Sequence, residues 1–296
     1  MATEQLKEKP VVVIVGPTAS GKTSLAIDIA KQYDGEIICA DSRTIYKEMT
    51  IGTAKPTMQD QQGIPHWGID LVTPDERYTV AEFKQYADEK IADIRARQKL
   101  PLLVGGTGLY IDAVVFDYKF PSPLSQNQRL QLEDLTPEEL YEYCNINNIS
   151  LPFDRHNKRR LIHAISTKHE EPKKNILPMG NSIIVGIATK KIVLNDRINQ
   201  RAEQMFDDGV VKEATQLGKK YGWETEAMTA SIYQIVQLYL VGGLSLQETV
   251  DKFTTKDRQL AKRQMTWFRR NPSIEWCTLP EAKTYIVQQL AQEYDL

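Results

Sequence analysis

The feature that most constrains this chain is the octapeptide Gly16-Pro17-Thr18-Ala19-Ser20-Gly21-Lys22-Thr23, set directly after the apolar run Val11-Val12-Val13-Ile14-Val15. It satisfies G-x-x-x-x-G-K-[ST] at every fixed position, and Ser24-Leu25-Ala26-Ile27-Asp28-Ile29-Ala30-Lys31 follows at helical period. A buried-type strand, a glycine-rich loop and a helix, in that order, make a phosphate cradle. The glycines let the backbone curl so that consecutive N–H groups face one hollow at the positive end of the new helix. Gly16, Thr18, Ala19, Ser20, Gly21, Lys22 and Thr23 are therefore expected to hold a polyphosphate. Lys22 supplies a mobile cation for the terminal phosphates, and the Thr23 hydroxyl is placed to ligate Mg2+. The loop leaves the polyphosphate open: a nucleoside triphosphate is the common occupant, and any diphosphate would satisfy the same donors.

The segments around the loop predict an α/β fold: a P-loop core with a mostly parallel sheet flanked by helices. Glu36-Ile37-Ile38-Cys39-Ala40 reads as a second strand ending at Asp41-Ser42. Side chains just past the carboxyl end of a parallel strand face the ligand crevice, so Asp41 and Lys22 should share one cleft. A loop through Gly52-Thr53-Ala54-Lys55-Pro56 and a weak strand over 68–72 come next. Thr79 then caps a helix over 80–97 with Phe83, Ala87, Ile91 and Ile94 on one stripe. The strand Leu100-Pro101-Leu102-Leu103-Val104 closes on Gly105-Gly106-Thr107-Gly108-Leu109-Tyr110. A motor-type P-loop protein would end one such strand with a metal-binding Asp. This one delivers Thr107, and the first cleft carboxylate is Asp41, one strand earlier. That pattern points to transfer onto an acceptor group rather than to ATP-driven motion.

From about residue 118 the character changes. Pro121, Ser122, Pro123 and Ser125 mark a boundary, and polar helical segments follow over 126–135 and 137–145. Then comes the basic run Asp154-Arg155-His156-Asn157-Lys158-Arg159-Arg160-Leu161. Residues 118–182 read as a helical insertion, because Ser182-Ile183-Ile184-Val185-Gly186-Ile187 resumes a core-type strand. The core is thus expected over 1–117 and 183–296. Its last part reads as wholly helical, with Ile198, Ala202, Met205 and Phe206 on one face and a break at Gly242-Gly243. A final helix over 255–270 carries Arg258, Lys262, Arg263, Arg269 and Arg270 against one acid, Asp257. The net charge of −2 over 296 residues excludes a uniformly basic nucleic-acid binder and leaves room for a local basic patch. Cys39, Cys144 and Cys277 are widely spaced and read as free thiols. No apolar run approaches the ~18 residues of a membrane span, and the first nine residues lack the apolar centre of a signal peptide. A cytoplasmic protein with no membrane contact is the expectation.

Taken together, these pieces resemble the tRNA dimethylallyltransferases, or tRNA isopentenyltransferases, of the bacterial type. The resemblance is carried by Gly16–Thr23, Ala40-Asp41-Ser42, Tyr46, Ile51-Gly52-Thr53-Ala54-Lys55-Pro56 and Pro65-His66. It continues through Leu102–Tyr110 and Ala261-Lys262-Arg263-Gln264-Met265-Thr266-Trp267-Phe268-Arg269. It implies that dimethylallyl diphosphate donates its five-carbon group to the exocyclic amine of the adenine 3′ of the anticodon, with Mg2+ as cofactor. It also implies that the insertion grips the anticodon arm of the tRNA. By the same resemblance Asp41 takes the proton of the amine, Thr107 sits by the diphosphate and the target nucleotide, and Lys22 completes the catalytic set. Arg197 is a further candidate for the diphosphate. Three positions depart from the family pattern: Thr50 where an Asp is usual, His163 for an Arg, and Ile232-Tyr233-Gln234 for Gly-Tyr-Lys/Arg. They bear on tRNA contact rather than on the cleft.

Candidate tRNA contacts are Asp41, Ser42, Arg43, Thr44 and Thr107 beside the cleft. Arg129, Arg159 and Arg160 in the insertion and Lys262 and Arg263 on the last basic helix complete the set. Trp267 and Phe268, at helical spacing with Leu260 and Gln264, read as core. Two other readings fit parts of the chain: a small-molecule or nucleoside kinase using the same loop, and a non-catalytic RNA-binding module using the basic insertion. A monomer is expected.

Overall fold

The structure is a computed structural model that describes residues 8–121, 124, 126–167 and 172–294. Ser122, Pro123 and Ser125 of the expected boundary lie outside the described residues, as do residues 1–7. Contacts divide the chain into two compact units: Met1–Val115 with Leu177–Leu296, and Phe116–Ile176. The second is narrower than the 118–182 span read from sequence. Residues 177–182 go with the larger unit because Met179 N–H donates to Val115 O at 2.8 Å and the Ser182 hydroxyl to Met179 O at 2.7 Å.

The larger unit is built on six strands, β1 Val11–Val15, β2 Gly35–Ala40, β3 His66–Trp67, β4 Leu100–Gly105, β5 Ser182–Ile187 and β6 Glu275–Cys277. They form one sheet in the order β3-β2-β4-β1-β5-β6, and every pairing is parallel. The α/β expectation is met. Parallel strands are covered on both faces, which is why β1 and β4 are continuous apolar runs with every residue buried. β1 lies between β4 and β5, with Val13 opposite Leu103 on one side and Ile184 on the other. The chain leaves β1 towards β2 on one side and leaves the adjacent β5 towards β6 on the other, so the carboxyl end of β1 borders a switch point where α/β sheets bind ligands.

Four helices interleave with the first strands: α1 Lys22–Gln32, α2 Met58–Gln61, α3 Val80–Ala96 and α4 Gly108–Val115. Leu25, Ala26 and Ile29 of α1 pack onto Val12, Ile14, Ile37 and Leu102 of the strands. α3 is capped by Thr79, which exchanges hydrogen bonds with Glu82 in a capping box. Its Phe83 stacks on Tyr110 of α4 with ring centroids 4.2 Å apart. The second unit holds α5 Gln126–Asp134, α6 Pro137–Ile146 and α7 Lys158–Thr167, closed around Leu132, Leu140, Cys144, Leu161, Ile162 and Ile165.

Returning to the larger unit, α8 Lys191–Asp207, α9 Val210–Tyr221, α10 Ser231–Leu240, α11 Leu246–Phe268 and α12 Leu279–Tyr294 follow β5. Ala202, Met205, Ala214, Leu217, Tyr233 and Phe253 bury a second core with Ile45, Tyr46 and Met49.

Three sequence expectations need correction. The strand placed over 68–72 is instead His66–Trp67, and Val72 makes only an isolated bridge to Tyr46. The last basic helix does not begin near 255. α11 starts at Leu246, after Ser245 and Glu248 close a capping box. The final part is not wholly helical either, since β6 adds an edge strand beside β5. Among the described residues no helix is long and apolar enough to cross a membrane. Cys39, Cys144 and Cys277 are free thiols.

Candidate active site

The switch-point loop closes as its residue types require. Gly21 caps α1 at φ 92°, left-handed backbone that a side chain would resist, and Ala19, two residues before it, sits at φ 59°. The result is a cleft of about 950 Å³ lined by Thr18 through Thr23 together with Asp41–Thr44, Thr107, Arg197 and Arg263. Gly16 stands behind the hollow at the end of β1, where an added Cβ would lie 3.2 Å from Ser20 Oγ. The Ser20 hydroxyl is 1% exposed and has no partner. An orphaned buried hydroxyl normally carries a cost, one that an acceptor bound in the cleft would relieve. Lys22 folds back over the loop, its Nζ donating to Pro17 O at 2.7 Å. Its ammonium faces the cleft, yet enclosure strips enough water from it to lower its pKa to about 8. Asp41 opposes that fall, and the charge of Arg201 adds to it.

Asp41 and Ser42 follow β2 directly, and the pairing of Ala40 with Gly105 puts Ser42 level with Thr107 beyond β4. Asp41 Oδ1 accepts the Arg43 N–H at 2.9 Å in an Asx-type turn. That bond holds the carboxylate through one of its two oxygens. Thr107 Oγ1 accepts the Ser42 N–H at 3.0 Å, and Thr107 N–H donates to Ala40 O at 3.2 Å, so the two strand ends are laced together.

The helices supply the opposite wall. Arg197 and Arg201, one turn apart on α8, both line the cleft, and Arg197 Nη1 reaches Ser20 O at 3.4 Å. From α11, Gln264 Oε1 accepts the Thr18 N–H at 2.8 Å and so steadies the phosphate loop from outside it. One Nη of Arg201 donates to Asp257 of α11. Sequence reading assigned no role to Arg201, Asp257 or Gln264. The usable signal was their spacing: 197 and 201 share a helical face, as do 257 and 264.

Other expected residues have different settings. Arg43 turns its guanidinium onto Glu226 O at 3.2 Å and Ala227 O at 3.3 Å, so it ties down the short turn Ala227–Thr229. Thr44 is buried. Lys55 is also buried and holds Tyr46 O and Asp70 Oδ1, each at 2.6 Å, a bracing role for its loop. Glu213 of α9 fixes the same loop by accepting the N–H groups of Thr50, Ile51 and Gly52. Lys262 is exposed on α11 and is not part of the lining. In the smaller unit, Arg129 donates to Glu133 at 2.8 Å, and Arg159 and Arg160 are exposed in the first turn of α7. Phe268 is core as expected. Trp267 is half-buried, its Nε1 donating to Asp112 at 2.8 Å. Its ring explains Gly108, where an added Cβ would fall 2.1 Å from the indole.

The site therefore joins the glycine-containing loop before α1 to a fixed carboxylate in one cleft. Comparison with known proteins gives that arrangement a family. The model described as "IPP transferase" matches residues 44–271, and that described as "Isopentenyl transferase" matches residues 9–70. The tRNA dimethylallyltransferase of Acetivibrio thermocellus is 42% identical, the match covering 92% of each chain. That of Macrococcus caseolyticus is 38% identical over 95% of each. The crystal structure of a tRNA isopentenylpyrophosphate transferase from Bacillus halodurans superposes with a TM-score of 0.74 at 33% identity, covering 98% of this chain and 99% of that one. This chain belongs to the tRNA dimethylallyltransferase family.

Proposed function

We propose that the chain transfers the dimethylallyl group of dimethylallyl diphosphate to N6 of the adenosine 3′ of the anticodon, position 37. The substrates would be tRNAs reading codons that start with U, and the product N6-dimethylallyladenosine. The observation that carries this is the shared cleft: the orphaned Ser20 hydroxyl and Lys22 on one side, and Asp41 with an unspent carboxylate oxygen on the other.

The chemistry follows from the reactants. An aromatic amine is a poor nucleophile, and an allyl diphosphate ionises readily, so the C1–O bond of the donor is largely broken before the N6–C1 bond forms. Negative charge grows on the departing diphosphate, where the loop N–H groups, the Ser20 hydroxyl, Lys22 and Arg197 are preorganised to meet it. The amine becomes acidic as the new bond forms, and Asp41 then takes its proton, a task within reach of a weak base. Thr107, bonded to Ala40 and Ser42, would orient the target nucleotide. The base must leave its stack to reach the cleft, at a cost of about a few kcal/mol. Contacts from Arg129, Arg159, Arg160, Lys262 and Arg263 to tRNA phosphates would offset that cost and set register.

The donor set also fits Mg2+. Among the described residues no group of three His, Cys, Asp or Glu side chains converges. Thr23, at the start of α1 and lining the cleft, would offer its hydroxyl to the ion, with diphosphate oxygens and water as its other partners. The ion would supply further neutralisation of the leaving group. The chain would work as a monomer in the cytoplasm, where its tRNA substrate resides, with the insertion holding the anticodon arm.

A kinase could use the same loop, but the family relationship does not favour it. Incubation with either ATP or dimethylallyl diphosphate, each with bulk tRNA, tests the reading. Prenylated tRNA from the second mixture alone is the expected result. Phosphate transfer from ATP with no prenyl transfer would overturn it.

A further inference from the structure

One acid in the cleft has no part in this scheme. Asp257 lies on α11 among Lys256, Arg258, Lys262 and Arg263, is 3% exposed, and lines the cleft that a diphosphate would enter. A buried carboxylate beside a polyanion is unfavourable unless a cation sits on it. That cation is Arg201, one Nη of which donates to Asp257 Oδ2. A second donor of the fork is unspent, since Arg201 Nε is buried with no partner. Arg201 also stands close enough to Lys22 for its charge to act on the lysine. A guanidinium carries five donors in a rigid plane, so it can serve a carboxylate on one edge and a phosphate on another.

We propose that Asp257 is a positioning residue that grips one edge of Arg201 and holds the remaining donors towards the diphosphate leaving group. The long arginine side chain would otherwise lose rotamer freedom at each binding event. A donor aimed at developing charge helps most when it is held there beforehand. The pairing depends on the crossing of α8 and α11, which pack through Leu194, Ile198 and Ala261 beside Ala19 of the phosphate loop. The inference rests on the reading of this cleft as a diphosphate site.

The test is a double-mutant cycle on the full chain with Asp257→Ala, Arg201→Ala and the double variant, plus Asp257→Asn as the near-isosteric control. Inorganic diphosphate binding is measured by calorimetry, and kcat and the KM for tRNA by prenyl transfer. Asp257→Ala should weaken diphosphate binding and lower kcat, each by roughly 10- to 100-fold, the range for a charge-assisted hydrogen bond. The KM for tRNA should stay within about threefold. Asp257→Asn keeps an acceptor without the charge and should fall between. The decisive sign comes from the Arg201→Ala background. There Asp257 is an unpaired acid beside an anion, so Asp257→Ala should restore part of the diphosphate affinity rather than reduce it further. Equal losses from Asp257→Ala in both backgrounds would overturn the proposal, as would wild-type binding and kcat in both Asp257 variants. If Asp257→Ala does not fold, Asp257→Asn runs the same cycle. Because the binding arm needs no prenyl acceptor, failure of the coupling is distinguishable from absence of prenyl transfer.

Discussion

Raising the pH should switch off this cleft through Lys22. Its ammonium titrates near 8 instead of in the ordinary lysine range, because enclosure by the loop removes water from the charged form and Arg201 adds repulsion, while Asp41 opposes both. The charged form is the productive one and its pKa is depressed, so activity is lost as pH rises through 8. For a group titrating there, about nine in ten free enzyme molecules carry the cation at pH 7 and about one in ten at pH 9. The kcat/KM for dimethylallyl diphosphate, which reports the enzyme before the donor binds, should therefore fall about tenfold per unit above pH 8. Bound diphosphate favours the cation, so kcat should hold to higher pH. Initial rates at saturating tRNA and constant ionic strength, from about pH 6 to 10, give both profiles. Lys22→Arg stays charged throughout and should lose the alkaline limb of kcat/KM while turning over more slowly. A wild-type kcat/KM that is flat to pH 10, or an alkaline limb that survives in Lys22→Arg, would refute the reasoning.

Three further outcomes are expected. Asp41→Asn should reduce prenyl transfer by about 100-fold or more, with diphosphate and tRNA affinities within a few-fold, because the amide keeps the Asx turn but cannot take a proton; near-wild-type turnover would remove Asp41 from that role. Chelation by EDTA should slow transfer, and Mg2+ should restore it in wild type more effectively than in Thr23→Ala; activity unchanged by EDTA would dismiss the metal. Replacing Arg159 and Arg160 together by Ala should weaken tRNA binding and flatten its log–log salt dependence by about one to two units, leaving donor affinity unchanged. A loss of donor affinity with intact tRNA binding would instead assign the insertion to the donor.

Much of this architecture was legible because buried parallel strands announce themselves. Val11–Val15 and Leu100–Gly105 are too apolar to be anything but core, and each ends on the residues that line the cleft. Asp41 and Thr107 could be placed for the same reason. The edge strands were not legible: His66–Trp67 and Glu275–Cys277 are two and three residues long, too short to show a period. α11 was read too short because its buried face includes Thr249, Thr254 and Asp257, polar residues that mask an apolar stripe. Its capping box at Ser245 and Glu248 was the available correction. The pairing of Arg201 with Asp257 spans 56 residues and exists only where two helices cross. Lys55 shows the same limit: the motif gave it no role, and its bonds to Tyr46 O and Asp70 Oδ1 make it a brace for its loop.

The most direct test of the central claim is the nucleoside content of tRNA from a strain lacking this gene. Mass analysis of digests should show unmodified adenosine 3′ of the anticodon in tRNAs reading U-initial codons. Wild-type protein should restore N6-dimethylallyladenosine at that position, and Asp41→Asn should not. Persistence of the modified nucleoside without the gene, or its restoration by Asp41→Asn, would contradict the account.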